Sequence, residues 1–151
     1  MAAAGHCLCG AVRYEVDADI ALTFSCHCQY CRRAHGAAFV PLAMVATRDL
    51  HFIAGEDAIV EYETSGVGRR GFCGRCGTRL YNKDADFAEA LTLVAGTLDE
   101  ELREPPALHL NLESAAPWYE ICDGRPQFDT LPPGALAARD ALVEGGSEET
   151  G

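Results

Sequence analysis

The sequence predicts a mainly β domain. Short apolar or alternating runs recur between turn-rich breaks, and seven of its eight cysteines fall in tight C-x-C and C-x-x-C spacings that suit turns at strand ends. At 151 residues, 48% hydrophobic and 23% charged, the chain fits a single domain with a sizeable core.

In chain order, the knuckle Cys7-Leu8-Cys9-Gly10 leads into residues 11–17, where Val12, Tyr14 and Val16 alternate with Arg13, Glu15 and Asp17. That is the period of a half-buried strand. Residues 20–25 read as a second strand that delivers Cys26 at its end, and residues 30–34 fit one helical turn stopped by Gly36. Residues 39–45, 50–53 and 59–64 follow as short strands separated by Thr47-Arg48-Asp49, Gly55-Glu56-Asp57 and Ser65-Gly66-Val67-Gly68. Residues 69–72 lead into Cys73-Gly74-Arg75-Cys76-Gly77 and residues 78–81 lead out, which makes this knuckle the tip of a hairpin. Residues 90–95 and 109–112 are further strands on either side of the stiff Pro105-Pro106. The division expected is a zinc-binding β domain over residues 1–134, then a short helix at 135–143 and a flexible tail within 135–151.

The formal charge of −11, from 23 acidic and 12 basic residues, argues against a surface that tracks phosphates, so no nucleic-acid partner is expected. With seven thiolates and two zinc ions the charge would move to about −14, which strengthens that exclusion. No run of about 18 apolar residues is present, so no membrane association is expected. The first residues lack the basic and apolar regions of an export signal, and clustered thiols outside an export route read as metal ligands. A cytoplasmic location follows as an expectation.

Cys7, Cys9, Cys73 and Cys76 supply the four thiols of a closed structural zinc site, and 63 residues lie between Cys9 and Cys73, so the ion would tie distant strands together. Ser25-Cys26-His27-Cys28-Gln29-Tyr30-Cys31 packs three cysteines into six residues and stops one ligand short of a tetrahedron. An open position filled by water or substrate is what separates catalytic from structural zinc. Two zinc ions per chain are therefore expected. The alternative at the second cluster is closure by a fourth side chain, with His35, four positions after Cys31, ahead of His27, which would have to turn back. Cys122 stands alone and reads as a small buried hydrophobe or, less simply, as a reactive thiol. Six arginines, Arg32, Arg33, Arg69, Arg70, Arg75 and Arg79, lie near the clusters in an acidic chain. They grip substrate carboxylates, offset thiolate charge or simply face water, and His109 is a candidate to face the open site.

These motifs, together with Gly36-Ala37-Ala38-Phe39, Gly96-Thr97-Leu98-Asp99 and His109 followed by Pro117-Trp118, resemble the glutathione-dependent formaldehyde-activating enzymes, a family that includes centromere protein V. The resemblance runs from Gly5 to about Leu131. It implies a β-tent of small antiparallel sheets, a structural zinc on Cys7, Cys9, Cys73 and Cys76, and an active-site zinc on Cys26, Cys28 and Cys31. It also implies carbon–sulfur lyase chemistry, in which a thiol such as glutathione adds reversibly to a small aldehyde such as formaldehyde. From the residues themselves, Arg32, Arg33, His35 and His109 are the candidate substrate-binding residues. Two other readings compete: a non-catalytic zinc-stabilised binding module, and a thiol oxidoreductase using Cys73 and Cys76, or Cys122, although the C-x-x-C lacks the strand-to-helix setting that activates such thiols.

Overall fold

The computed structural model describes residues 2–145. Two sheets build the fold. The smaller has the order β1 (Ala3–His6), β2 (Arg13–Val16), β5 (Leu50–Ala54), all antiparallel. The larger has seven strands in the order β10 (His109–Leu110), β3 (Leu22–Cys26), β4 (Val40–Ala46), β9 (Phe87–Val94), β8 (Arg79–Asp84), β7 (Gly68–Cys73), β6 (Ile59–Glu63). Its neighbours are antiparallel except for the short β10, which runs parallel to β3 and sets His109 beside Ser25 and Leu110 beside Cys26. Each strand expected from the sequence is present. The single helical turn extends to α1 (Gln29–His35), ended by Gly36 in the left-handed region at φ 61°.

One strand carries no signal in the sequence. Ala3–His6 has no β-branched or aromatic residue, yet it pairs along β2 from Ala3 opposite Val16 to His6 opposite Arg13. Packing explains it. A Cβ on Gly5 would stand 2.2 Å from the hydroxyl oxygen of Tyr14, so only glycine lets the Tyr14 ring lie across β1 and bond Thr97 through its hydroxyl at 2.7 Å.

The main core lies between the sheets: Tyr14 and Val16 from the first, with Val12 just before β2, meet Val45, Leu80, Tyr81, Leu91 and Leu93 from the second, with Cys7 and Cys73 buried among them. A smaller core holds Cys26, Cys31, Val40, Leu42 and Leu110. The outer edge strand β6 presents Glu61 and Glu63 to solvent, and such charges discourage pairing with another chain.

Helix α2 (Ala135–Glu144) lies against β4 and β9. The Arg139 guanidinium sits 3.4 Å from the centre of the Phe87 ring, and Arg48 donates to the carbonyls of Leu142 and Val143 in the last turn, where unpaired carbonyls favour a cation. The tail expected to be flexible lies, in residues 146–151, outside the described residues.

Candidate metal centres and the candidate active site

The β1–β2 connection and the β7–β8 hairpin bring Cys7, Cys9, Cys73 and Cys76 together, all four sulfurs within 4.8 Å of one another. Tetrahedral zinc with bonds of about 2.3 Å places its sulfurs about 3.8 Å apart. Cys7 and Cys9 are separated by 3.6 Å, Cys9 and Cys73 by 3.9 Å, so donor chemistry and spacing both fit such an ion. Each knuckle aims a backbone N–H at its first sulfur: Val12 at Cys7 (3.3 Å) and Arg75 at Cys73 (3.4 Å). Thr78 links the knuckles, accepting from the Leu8 N–H and bonding Cys76 at 3.2 Å. That neighbour is the main reason the Cys76 thiol is driven down to about 5.

The second cluster forms where β3 ends and α1 begins. Cys26 is the last residue of β3, Cys28 caps α1, and Cys31 lies inside it; the three sulfurs are mutually within 4.8 Å. Cys26 and Cys31 are buried and Cys28 is half-buried, so solvent reaches the cluster on its Cys28 side. Among the described residues no fourth histidine, cysteine or carboxylate joins the group. Crowding makes the thiols titrate together: hydrogen bonds from Cys26 and then Cys31 drive Cys28 down, while the same contacts seen from Cys31, with Cys26 foremost, drive Cys31 up.

Every sulfur of this cluster accepts at least one further N–H. Asn111 Nδ2 donates to Cys26 at 3.3 Å, the Cys31 backbone N–H to Cys28 at 3.4 Å, and both terminal nitrogens of Arg70 to Cys31 at 3.7 and 3.6 Å. Asn111 is the one non-glycine among the described residues with positive φ, 61°. Strain of that kind is retained where the surroundings over-determine a position.

His27 points away from the sulfurs. Its Nε2 lies 2.8 Å from Nδ1 of His109, whose Nε2 lies 2.7 Å from an Asp123 carboxylate oxygen. If Asp123 accepts from His109, then His109 accepts from His27, which fixes the tautomers along the row. His27 also stacks on Phe39 with ring centres 5.0 Å apart, and burial, followed by the charge of His109, lowers its pKa to about 4. Thus His109, a candidate to face the open site, engages Asp123 and His27.

The other candidates divide. Arg32 donates to the Ser114 carbonyl at 2.7 Å, leaving its Nε buried without a partner. The exposed Arg33 donates to Gln29 at 3.2 Å. His35 is not part of the sulfur group, its Nε2 is buried without a partner, and burial, then the charges of Arg70 and Arg79, lowers its pKa to about 4. Arg69 pairs with Glu63 at 3.5 Å and Arg79 lies over the Phe72 ring at 4.7 Å. Cys122 is exposed and belongs to neither cluster. His6 and His51 pair with Asp99 and Asp17 at the surface.

A cavity of about 570 Å³ opens between α1 and strands β6–β8, lined by Tyr30, Arg33, Tyr62, Arg70, Phe72 and Arg79 among others. It borders the three-cysteine cluster through Arg70. A second cavity of about 330 Å³, with Arg32 and Trp118 on its wall, shares Gln29 and Arg33 with the first. No helix among the described residues is long and apolar enough to cross a membrane.

Residues 2–114 match the family described as glutathione-dependent formaldehyde-activating enzyme. A Halomonas elongata protein whose name assigns it to the same enzymes is 32% identical, over 93% of this chain and 98% of its own length. A Rhodobacter sphaeroides protein of known crystal structure is similar in fold, with a TM-score of 0.58 over 83% of this chain and 98% of that one, at 23% identity. By the extent of the first match and the identity of the second, the chain belongs to the family of glutathione-dependent formaldehyde-activating enzymes.

Proposed function

We propose that the chain is a zinc-dependent carbon–sulfur lyase that adds a thiol, glutathione or a close relative, reversibly to a small aldehyde such as formaldehyde. The observation that carries this reading is the contrast between a four-sulfur set with no free position and a three-sulfur set that no other ligand-type side chain among the described residues completes. In this proposal Cys7, Cys9, Cys73 and Cys76 hold a structural zinc, and Cys26, Cys28 and Cys31 hold the active-site zinc.

Zinc bound there would supply a Lewis acid that favours the thiolate form of an incoming thiol. The chain's own residues do the rest. Cys26 and Cys31 present two buried sulfurs and Cys28 a half-exposed one, so approach is confined to one side. Arg33 and Arg79, on the wall of the larger cavity, suit bidentate recognition of carboxylates in a chain otherwise rich in negative charge. Tyr30, Tyr62 and Phe72 offer apolar surface for the remainder of the thiol. In the addition the thiolate sulfur bonds the aldehyde carbon, the carbonyl π pair moves onto oxygen, and a proton from solvent completes the hydroxymethyl product; the lyase direction reverses each change. A cytoplasmic location belongs to the same reading, since eight free cysteines suit a reducing compartment.

Elemental analysis and calorimetry test the proposal together. Two zinc ions per chain are expected, with glutathione binding and its S-methyl derivative, which lacks a thiol, binding far more weakly. Equal binding of the two compounds would show that sulfur does not reach the metal and would favour a zinc-stabilised binding module.

A further inference from the structure

Arg70 is buried, 9% exposed, in the middle of β7. A buried guanidinium normally finds a carboxylate, because an uncompensated charge out of water is costly. Among the described residues none lies within ion-pair distance of it. Asn82 Oδ1 accepts from Nη1 at 2.9 Å and orients the group, Nε is buried without a partner, and both terminal nitrogens reach the sulfur of Cys31, which would be a thiolate once zinc is bound. Among the described residues the four-cysteine site has no equivalent: its sulfurs meet only neutral groups, the backbone N–H groups of Val12 and Arg75 and the hydroxyl of Thr78.

We infer that Arg70 is a positioning residue that cancels the charge of the three-cysteine centre, so that this centre, and not the four-cysteine one, accepts an additional anionic sulfur. The inference rests on the zinc reading proposed above and adds a role for a residue outside the ligand set. Three thiolates around a divalent ion leave one negative charge, and a second anion would be repelled at close range. The guanidinium offsets that charge in a buried setting, where screening by water is weak. Its two N–H···S contacts also draw electron density from Cys31, as donors to ligand atoms generally do. The closed site, where four thiolates would leave two negative charges, takes no fifth ligand, so its charge bars no incoming anion. Charge compensation here would therefore mark the centre built to exchange a ligand.

The test uses the full-length protein loaded with cobalt(II) in place of zinc, in wild type, Arg70→Lys and Arg70→Met forms. Cobalt reports thiolate donation through its sulfur-to-metal charge-transfer absorption. The probe is 2-mercaptoethanol, a thiol without a carboxylate. Arg70→Met should shift the charge-transfer band to longer wavelength and weaken 2-mercaptoethanol binding by about tenfold or more. Arg70→Lys, which keeps the charge but not the paired donors, should fall between; it also serves if Arg70→Met does not fold. Unchanged affinity for 2-mercaptoethanol in these variants would overturn the inference, with or without a band shift. So would weakening seen with glutathione alone, which would make Arg70 a clamp for the substrate carboxylate. If the wild type binds neither thiol at cobalt, the proposed function fails, and the inference, having no sulfur to admit, fails with it; if the wild type binds and the variants match it, the function stands and only the inference fails.

Discussion

Asn111 donates its side-chain amide to the sulfur of Cys26 across 85 positions of sequence, from a backbone held at φ 61°. The donation and the backbone conformation can be separated by substitution. Asn111→Gly keeps the left-handed conformation and removes the donor, whereas Asn111→Ala removes the donor and adds strain of about 1 kcal/mol. Both variants should release metal from the three-cysteine centre to a chelator faster than wild type does, and the alanine variant should also melt below the glycine one. Equal release from all three proteins would show that the Asn111 amide does not support Cys26.

Cys9→Ser and Cys28→Ser should fail in different ways. Cys9 belongs to a centre that joins the two sheets through hairpins far apart in sequence, so its loss should lower stability by several kcal/mol or prevent folding. Cys28 ties together only the β3–α1 junction. Its loss should leave a folded protein with about one zinc fewer and no thiol binding. Circular dichroism melts and metal content on both variants check this; equal unfolding would make the second centre structural.

Gly5→Ala should destabilise by about 2 kcal/mol or more, because the new methyl would stand 2.2 Å from the Tyr14 hydroxyl oxygen and 2.5 Å from the Thr97 carbonyl oxygen. Gly5→Ala combined with Tyr14→Phe should recover little, since the tyrosine ring itself lies within 2.3 Å of that position. Urea unfolding of the single and double variants gives the measurement.

His35 should make stability fall on acidification. Its folded-state pKa lies below the ordinary 6.5, at about 4, so as pH drops below 6.5 the unfolded chain takes up a proton that the folded chain refuses. Stability is full above about 6.5 and declines toward 4. His27 acts in the same direction. His35→Leu removes one such group and a buried nitrogen without a partner, so it should match wild type near neutral pH and gain on it as pH falls to about 5.5. Urea midpoints across that interval check the sign. Thiol binding measured on the same variant would show separately whether His35 also serves the substrate.

The strands and both cysteine sets were legible because their signals are local: alternation along residues 12–17, C-x-C and C-x-x-C spacings, glycines at turns. Pairing the knuckles needed only the count of four thiols against three. The groups around the sulfurs were hidden for the opposite reason. Six arginines lie near the clusters in sequence, but only the strand register places Arg70 over Cys31, 39 positions away, while Arg69 turns to Glu63. Asp123 and Asn111 carry no motif and acquire a role from the parallel pairing of β10 with β3. Strand β1 was invisible because glycine and alanine favour no strand, and its place is set by the tyrosine that covers Gly5.

The position of each ligand along the chain also sets an order of assembly during synthesis. Cys26, Cys28 and Cys31 leave the ribosome as one short segment, whereas Cys7 and Cys9 must wait for Cys76, made 45 residues after Cys31. At about 5–20 residues per second that wait lasts a few seconds. The cluster complete first in ligands is the last to receive its supporting donors, since Asn111 is translated 35 residues after Cys76. A nascent chain would thus offer an exposed three-thiol loop to the cell's metal supply before either sheet has closed around it.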